Sequence, residues 1–228
     1  MKRLILFLLL ITFCMAGCSA NDEVASSFFA DKYVEESTEI KIDISVPEIT
    51  LDVPDKFLYE DICFSEEDVI IDGAYDFTAA AVICFNISDA EIIYSKGMFD
   101  KIYPASTTKL LTAITALKYG ELDSVITISE DNCGITTPGA QLCGFKKGDR
   151  ITLRELMHCL LVYSGNDSSV AIAEAISGST EEFMKLMNKT AKELGAKDTN
   201  MTNPHGLHEL NHYTTAYDMY LILNECLK

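Results

Sequence analysis

The stretch "YPASTTKLLTAITAL", residues 103–117, places a serine and a lysine at the start of an apolar helix. The helix is predicted from apolar residues at helical spacing and from a glycine stop, namely Leu110, Leu111, Ile114, Leu117 and Gly120. Ser106 and Lys109 are three residues apart, which puts their Cβ atoms about 5–6 Å apart on one helix face. A serine needs a base to become a nucleophile, and a lysine neutralised by its surroundings can supply one. A capping serine with a surface lysine is the alternative, because such a pair arises about once by chance in a chain of this length.

A second motif, Ser164-Gly165-Asn166, stands between two predicted apolar helices. The first helix begins at a capping box formed by Thr152 and Glu155, and the second ends at Gly178. Because hydrophobic helices bound the motif on both sides, we expect Ser164 and Asn166 to face a cleft. The hydroxyl would relay a proton and the amide would bind a substrate carbonyl. A simple chain turn is the alternative interpretation.

Taken together, three stretches resemble the serine D-alanyl-D-alanine carboxypeptidases, the low-molecular-mass penicillin-binding proteins. They are residues 103–117, the segment "LLVYSGNDSSVAIAEAISGS" at 160–179, and the segments "TNPHGL" and "HYTTAYDM" within 202–219. The similarity extends over residues 79–228, which we predict to be a partial D-Ala-D-Ala carboxypeptidase domain. It implies an α/β fold of the β-lactamase/transpeptidase type, with a sheet flanked by helices.

The resemblance also implies roles for the motif residues. Ser106 would be the acylated nucleophile, Lys109 the general base, and Ser164 and Asn166 the second motif, with Asn166 binding substrate. The implied reaction removes the terminal D-Ala from peptidoglycan stem peptides ending in D-Ala-D-Ala, through an acyl-enzyme and without a cofactor or metal. β-Lactams would acylate the same serine. Ser-Gly-Asn, in place of the Ser-Asp-Asn of class A β-lactamases, favours the peptidase.

The third motif of that family, a Lys-Thr-Gly triplet on a downstream strand, does not occur in the sequence. Loss of one oxyanion donor costs about 10²–10³ in rate, and the resemblance implies that the C-terminal strands of the sheet are lacking. We therefore expect a fragment of a longer gene product, a degenerate copy, or a chain completed by a partner. A truncated, non-catalytic protein that binds stem peptides or penicillin is the alternative function.

The N-terminal third predicts export and anchoring. Residues 1–18 combine a basic start, an apolar run from Leu4 to Phe13 and the sequence Met15-Ala16-Gly17-Cys18, which is typical of a bacterial lipoprotein signal peptide. Lipidated Cys18 would hold the protein at the outer face of the cell membrane; an ordinary signal peptide would leave it secreted. Residues 19–78 contain 17 acidic and 3 basic residues, which predicts an extended linker. The chain has a net charge of −17, so we do not expect it to bind nucleic acid.

The segment "HELNH", residues 208–212, matches the zinc-peptidase signature His-Glu-x-x-His. In such enzymes both histidines lie on one helix face, so that both ring nitrogens reach one metal. Here the next helix start signal comes only at Thr214 or Thr215, so we expect a loop, with structural histidines or histidines at the substrate rim. A zinc site at His205, His208 and His212 is the distant alternative. Among the cysteines, Cys133 and Cys143 flank a turn region and are a candidate disulfide in an oxidising compartment.

Overall fold

The computed structural model describes residues 62–71, 77–86 and 89–228. The predicted signal peptide at 1–18, its Cys18 and the greater part of the predicted linker lie outside the described residues. The described residues all belong to one compact unit, Val53–Lys228. Among them, no helix has both the length and the apolar character needed to cross a membrane.

The strands form two antiparallel pairs. β1 (Val82–Asn86) and β2 (Glu91–Lys96) make an antiparallel hairpin, with a β-bulge between Cys84 and Phe85. β3 (Val125–Thr127) pairs with β4 (Arg150–Thr152). Over the described ranges these are two separate two-stranded sheets.

The described residues form five α-helices, and the end of the first, the start of the second, the end of the third and the start of the fifth lie where the sequence predicted them. The helices are α1 (Thr108–Tyr119), α2 (Leu153–Leu161), α3 (Asn166–Ser177), α4 (Thr180–Glu193) and α5 (Ala216–Cys226). The capping box of Thr152 and Glu155 opens α2, because each side chain accepts a hydrogen bond from the other residue's backbone N–H. At the N-termini of α4 and α5, the side chains of Ser179 and Thr215 each accept a hydrogen bond from the backbone N–H three residues later.

The main hydrophobic core surrounds α1, which packs against all four other helices. Alanines and threonines on α1 are buried and let the neighbouring helices approach closely, while larger side chains fill the space between them. Its large, fully buried members include Leu111, Leu156, Ile172, Phe183 and Met187. Because truncation of such residues costs about 2–5 kcal/mol each, this core holds the N-terminus of α1 in a fixed position.

A second core cluster joins α5 to the hairpin. The rings of Phe85 and Tyr220 lie 4.3 Å apart between centroids, and the Tyr220 hydroxyl accepts a hydrogen bond from the backbone N–H of Cys63 at 3.0 Å. Further along, Val69 exchanges hydrogen bonds with Ser95 on β2 at 2.8 Å. The packed part of the chain therefore begins upstream of residue 79, where the sequence predicted the linker to end. Buried Cys63 and the backbone hydrogen bonds of Cys63 and Val69 account for this difference over residues 62–71.

Candidate active site

Ser106 lies in a single 3₁₀ turn, Ala105–Thr107, that leads directly into α1. Its side chain is exposed, at the point where the dipole of α1 is positive. The preceding Ala105 has φ 48°, in the left-handed region that residues other than glycine rarely adopt. Gly206 supports this turn from the other side, because a Cβ at Gly206 would lie 1.8 Å from the Ala105 carbonyl oxygen. Close backbone approach thus fixes the position of Ser106.

Lys109 is buried, with 3% of its surface exposed, and its Nζ has three neighbours. It lies 2.7 Å from Asn166 Oδ1, 2.9 Å from the His205 carbonyl oxygen and 3.3 Å from Ser106 Oγ. A neutral amine has two hydrogens and one lone pair. The carbonyl oxygens of Asn166 and His205 accept hydrogen bonds from the two N–H groups, and the lone pair of Nζ accepts one from the Ser106 hydroxyl. The geometry is that of a lysine able to act as a base.

The pKa of Lys109 falls from 10.5 to about 8, chiefly because burial penalises the ammonium form. A negative charge on Cys143, present only in its thiolate form, would act in the opposite direction and raise the pKa of Lys109. The shift corresponds to about 3 kcal/mol in favour of the neutral amine. Roughly one Lys109 in ten is therefore neutral at pH 7, and about half are neutral at pH 8.

Asn166 and Ser164 are placed differently with respect to this lysine. Asn166 is the first residue of α3 and is 5% exposed, with its amide oxygen against Lys109. Ser164 lies in the preceding turn, half-buried, with φ 63°. Within the described part of the chain, its hydroxyl makes no hydrogen bond with Ser106 or Lys109. The structure therefore joins three of the four predicted site residues directly and leaves Ser164 beside them.

Asp167 is a site residue that the sequence interpretation missed. It is fully buried, and its carboxylate accepts hydrogen bonds from the backbone N–H groups of Cys143 and Gly144, both at 2.9 Å. A parallel contact joins the Asn166 N–H to the Gln141 carbonyl at 2.8 Å. These bonds fasten residues 141–145 along the N-terminal end of α3. An acidic residue in a first helical turn is so common a signal that it could not point to this role.

Comparison with known proteins identifies the family. A profile described as D-alanyl-D-alanine carboxypeptidase matches residues 68–228. The chain belongs to that family. It is 38% identical over 153 residues to the D-alanyl-D-alanine carboxypeptidase DacF of Bacillus subtilis, covering 66% of this chain and 39% of that protein.

Solved structures of relatives agree with the family and the fold. The carboxypeptidase DacD of Francisella tularensis superposes with a TM-score of 0.61 at 34% identity, over 71% of this chain and 40% of that one. A Streptomyces K15 DD-transpeptidase shares the fold, with a TM-score of 0.63 at 24% identity, over 68% and 63% of the two chains. This confirms the predicted transpeptidase-like fold. This carboxypeptidase-family chain spans about two fifths of the length of the curated relatives it matches.

In this carboxypeptidase-family chain the His-Glu-x-x-His segment is a loop, as predicted. His212 is 1% exposed, and both its ring nitrogens are occupied: Nδ1 accepts from the Thr202 N–H at 3.1 Å and Nε2 lies 2.8 Å from Thr108 Oγ1. Burial lowers the pKa of His212, so the neutral ring donates from Nε2 to the threonine. His208 is exposed, and its ring and that of Tyr103 pack edge to face with their centroids 4.5 Å apart. His208 and His212 therefore contact different residues.

The cysteines of the described residues are free thiols: Cys63, Cys84, Cys133, Cys143, Cys159 and Cys226. Burial raises the pKa of the Cys133 thiol to about 12, and its neighbours are the carboxylates of Asp167 and Glu174 and the backbone of Ala171. The thiol partner of Cys143 is instead Cys159. The geometry therefore does not favour the Cys133–Cys143 pairing considered from the sequence.

Proposed function

We propose that this chain carries the nucleophile and base of a serine D,D-carboxypeptidase that removes the terminal D-Ala from peptidoglycan stem peptides. The observation that supports it is the buried Lys109 amine, 3.3 Å from the Ser106 hydroxyl, with its pKa lowered to about 8. A lysine of this kind is what a serine nucleophile requires when no histidine lies beside it.

In the proposed reaction, neutral Lys109 takes the proton from Ser106 as Oγ attacks the carbonyl carbon of the D-Ala-D-Ala amide. The tetrahedral oxyanion forms at the start of α1, where backbone N–H groups have no partner within the helix. The amide C–N bond then breaks, and the departing D-Ala amine takes up the proton that Lys109 had accepted, which leaves Lys109 neutral again. Water hydrolyses the Ser106 ester, again with Lys109 as base. β-Lactams acylate Ser106 by the same first step.

The second motif has two tasks in this proposal. Asn166 holds Lys109 through its amide oxygen and uses its amide N–H₂ group on a substrate carbonyl. Ser164, whose hydroxyl is not committed to Lys109, returns a proton to the leaving amine. These roles rest on position: Asn166, at the start of α3, contacts Lys109, and Ser164 lies in the turn before it.

We also propose that the protein works outside the cytoplasm, anchored to the membrane by lipid on Cys18. The lipoprotein-type signal at residues 1–18 is the basis for this. Cys18→Ala is expected to abolish incorporation of labelled palmitate in a bacterial host. Continued labelling of that variant would remove the anchor from the proposal.

The test of the chemistry is the intact mass of the purified chain after incubation with benzylpenicillin. The expected result is one covalent adduct on the wild type and none on Ser106→Ala, with circular dichroism showing that both are folded. An adduct that persists on Ser106→Ala would refute Ser106 as the nucleophile. A folded wild type without any adduct would favour the binding function over the enzyme.

A further inference from the structure

Two cysteines meet beside the active site because the second motif attaches to both of their chain segments. Cys159 lies in the last turn of α2, and its carbonyl accepts a hydrogen bond from the Gly165 N–H at 3.0 Å. Cys143 lies in the 141–145 segment, and its N–H donates to Asp167 at 2.9 Å. Gly165 and Asp167, two residues apart at the start of α3, thus hold the two cysteine backbones in place.

The side chains complete this juxtaposition. The thiols of Cys143 and Cys159 lie close enough to influence each other's ionisation, and both are half-buried. Cys143 Sγ lies over Gly165, only 2.4 Å from where a Cβ on that glycine would stand. The absence of a side chain at Gly165 therefore makes the room in which the sulfur of Cys143 sits next to that of Cys159.

We propose that Cys143 and Cys159 are a modification site: a dithiol that closes to a disulfide and fastens the 141–145 segment to the end of α2. The oxidant is a small-molecule or protein disulfide. The thiolate of one cysteine attacks it, forms a mixed disulfide and releases one thiol; the second cysteine then attacks the protein sulfur and releases the other. Two electrons pass from the cysteines to the oxidant, and its two thiols carry away the two protons.

The surroundings set the rate of this closure. Burial, and then the charge of Asp167, raise the pKa of the Cys143 thiol; burial also raises the pKa of Cys159. Thiolate is therefore scarce at neutral pH, and closure is expected to accelerate about tenfold per pH unit between 7 and 9. The same feature makes both sulfurs poor leaving groups, so the closed bond is expected to resist reduction.

Formation of the Cys143–Cys159 disulfide would restrain the surroundings of Lys109, whether or not the proposed carboxypeptidase chemistry is correct. The 141–145 segment is tied to Asn166 through Gln141 and to Asp167 through Cys143. A disulfide closing a loop of about 15 residues is expected to raise the melting temperature by roughly 5–10 °C. It would restrain the segment that borders Lys109, next to the proposed nucleophile.

The test uses the full chain, purified reduced and incubated with oxidised glutathione at alkaline pH. Free thiols are then alkylated and the chain is digested without reduction for mass spectrometry. The expected product is a cross-linked peptide pair containing Cys143 and Cys159, with a parent mass lower by two hydrogens. It should vanish in Cys143→Ser and in Cys159→Ser but persist in Cys133→Ser, the matched control.

Exposed Cys84 reports that the oxidant has acted, because it should carry glutathione. If Cys84 is modified while Cys143 and Cys159 are both recovered alkylated, the proposal is overturned. A cross-link from Cys143 to Cys133 would overturn it as well. Neither readout uses penicillin, so failure here is separate from failure of the proposed carboxypeptidase chemistry.

Discussion

Replacement of Asn166 by aspartate tests whether the ionisation of Lys109 limits acylation of Ser106. Asn166 Oδ1 lies 2.7 Å from Lys109 Nζ, so Asn166→Asp puts a negative charge there with almost no change in shape. Since 3% of Lys109 is exposed, solvent screens the new pair only weakly. The carboxylate favours the ammonium form, and the pKa of Lys109 should rise.

The size of the effect follows from the distance between Asn166 and Lys109 and from the starting pKa of Lys109. With a pKa of about 8, about one tenth of Lys109 is neutral at pH 7. An opposite charge at contact distance shifts a pKa by about 1–3 units, which moves that of Lys109 to roughly 9–11. The neutral fraction at pH 7 then falls to about 10⁻²–10⁻⁴. The acylation rate at pH 7 should fall about 10- to 1,000-fold and recover as the pH rises.

The assay is the second-order rate of benzylpenicillin acylation, followed by intact mass between pH 6 and 10.5. For the wild type the rate should rise with pH through a midpoint near 8, because the neutral amine is the active form. Lys109→Arg is the control, since a guanidinium does not deprotonate in this range and should show no such rise. The reasoning fails if the wild-type rate is flat across this range, or if Asn166→Asp keeps the midpoint at about 8.

Three further variants test the supports of the site. Gly206→Ala should lower the acylation rate at least tenfold, because its Cβ would lie 1.8 Å from the Ala105 carbonyl oxygen and displace the Ser106 turn; an unchanged rate in a folded variant would contradict this. Thr152→Ala removes the capping box with Glu155 and should lower the free energy of unfolding by about 1 kcal/mol, measured by denaturant titration, without changing the rate per folded molecule. Asp68→Asn should cost about 0.5–1 kcal/mol at pH 7, a small amount because the carboxylate is exposed. Burial raises the pKa of Asp68, but hydrogen bonds from backbone N–H groups and a serine lower it overall, so this stability exists above the unfolded pKa of about 4 and disappears as the pH falls through the folded value; equal losses at pH 7 and pH 2.5 would refute it.

The helices could be predicted because their signals are local. The capping box at Thr152, the cap at Thr215 and the left-handed glycine Gly178 each act within a few residues, and each lies where it was expected. The loop at residues 208–212 was predicted by the same logic, since no apolar period or cap supports a helix there. Spacing of three also correctly brought Ser106 and Lys109 onto one face.

The contacts that adjust the site could not be predicted, because they join distant parts of the chain. Nothing local to Cys63 or Val69 distinguishes them from the acidic stretch around them; only α5 and β2 supply their partners. The same holds for Asp167, whose partners lie more than 20 residues upstream. For residues 62–71 of the predicted linker, tertiary contacts rather than composition decide the conformation.

The Asn203–Leu207 loop, which resembled ordinary family sequence, has a direct influence on both reacting groups. Its His205 carbonyl is a hydrogen-bond acceptor of Lys109, and its Gly206 packs against the turn that carries Ser106. Thr112 of α1 fastens the same loop by donating to the Pro204 carbonyl at 2.7 Å. Because one loop positions the base and supports the nucleophile, a change in it should alter the pH midpoint and the maximal acylation rate together. Asn166→Asp should likewise shift the midpoint through Lys109, and it should lower the maximal rate only as far as the proposed contact of the Asn166 amide with the substrate carbonyl contributes to it.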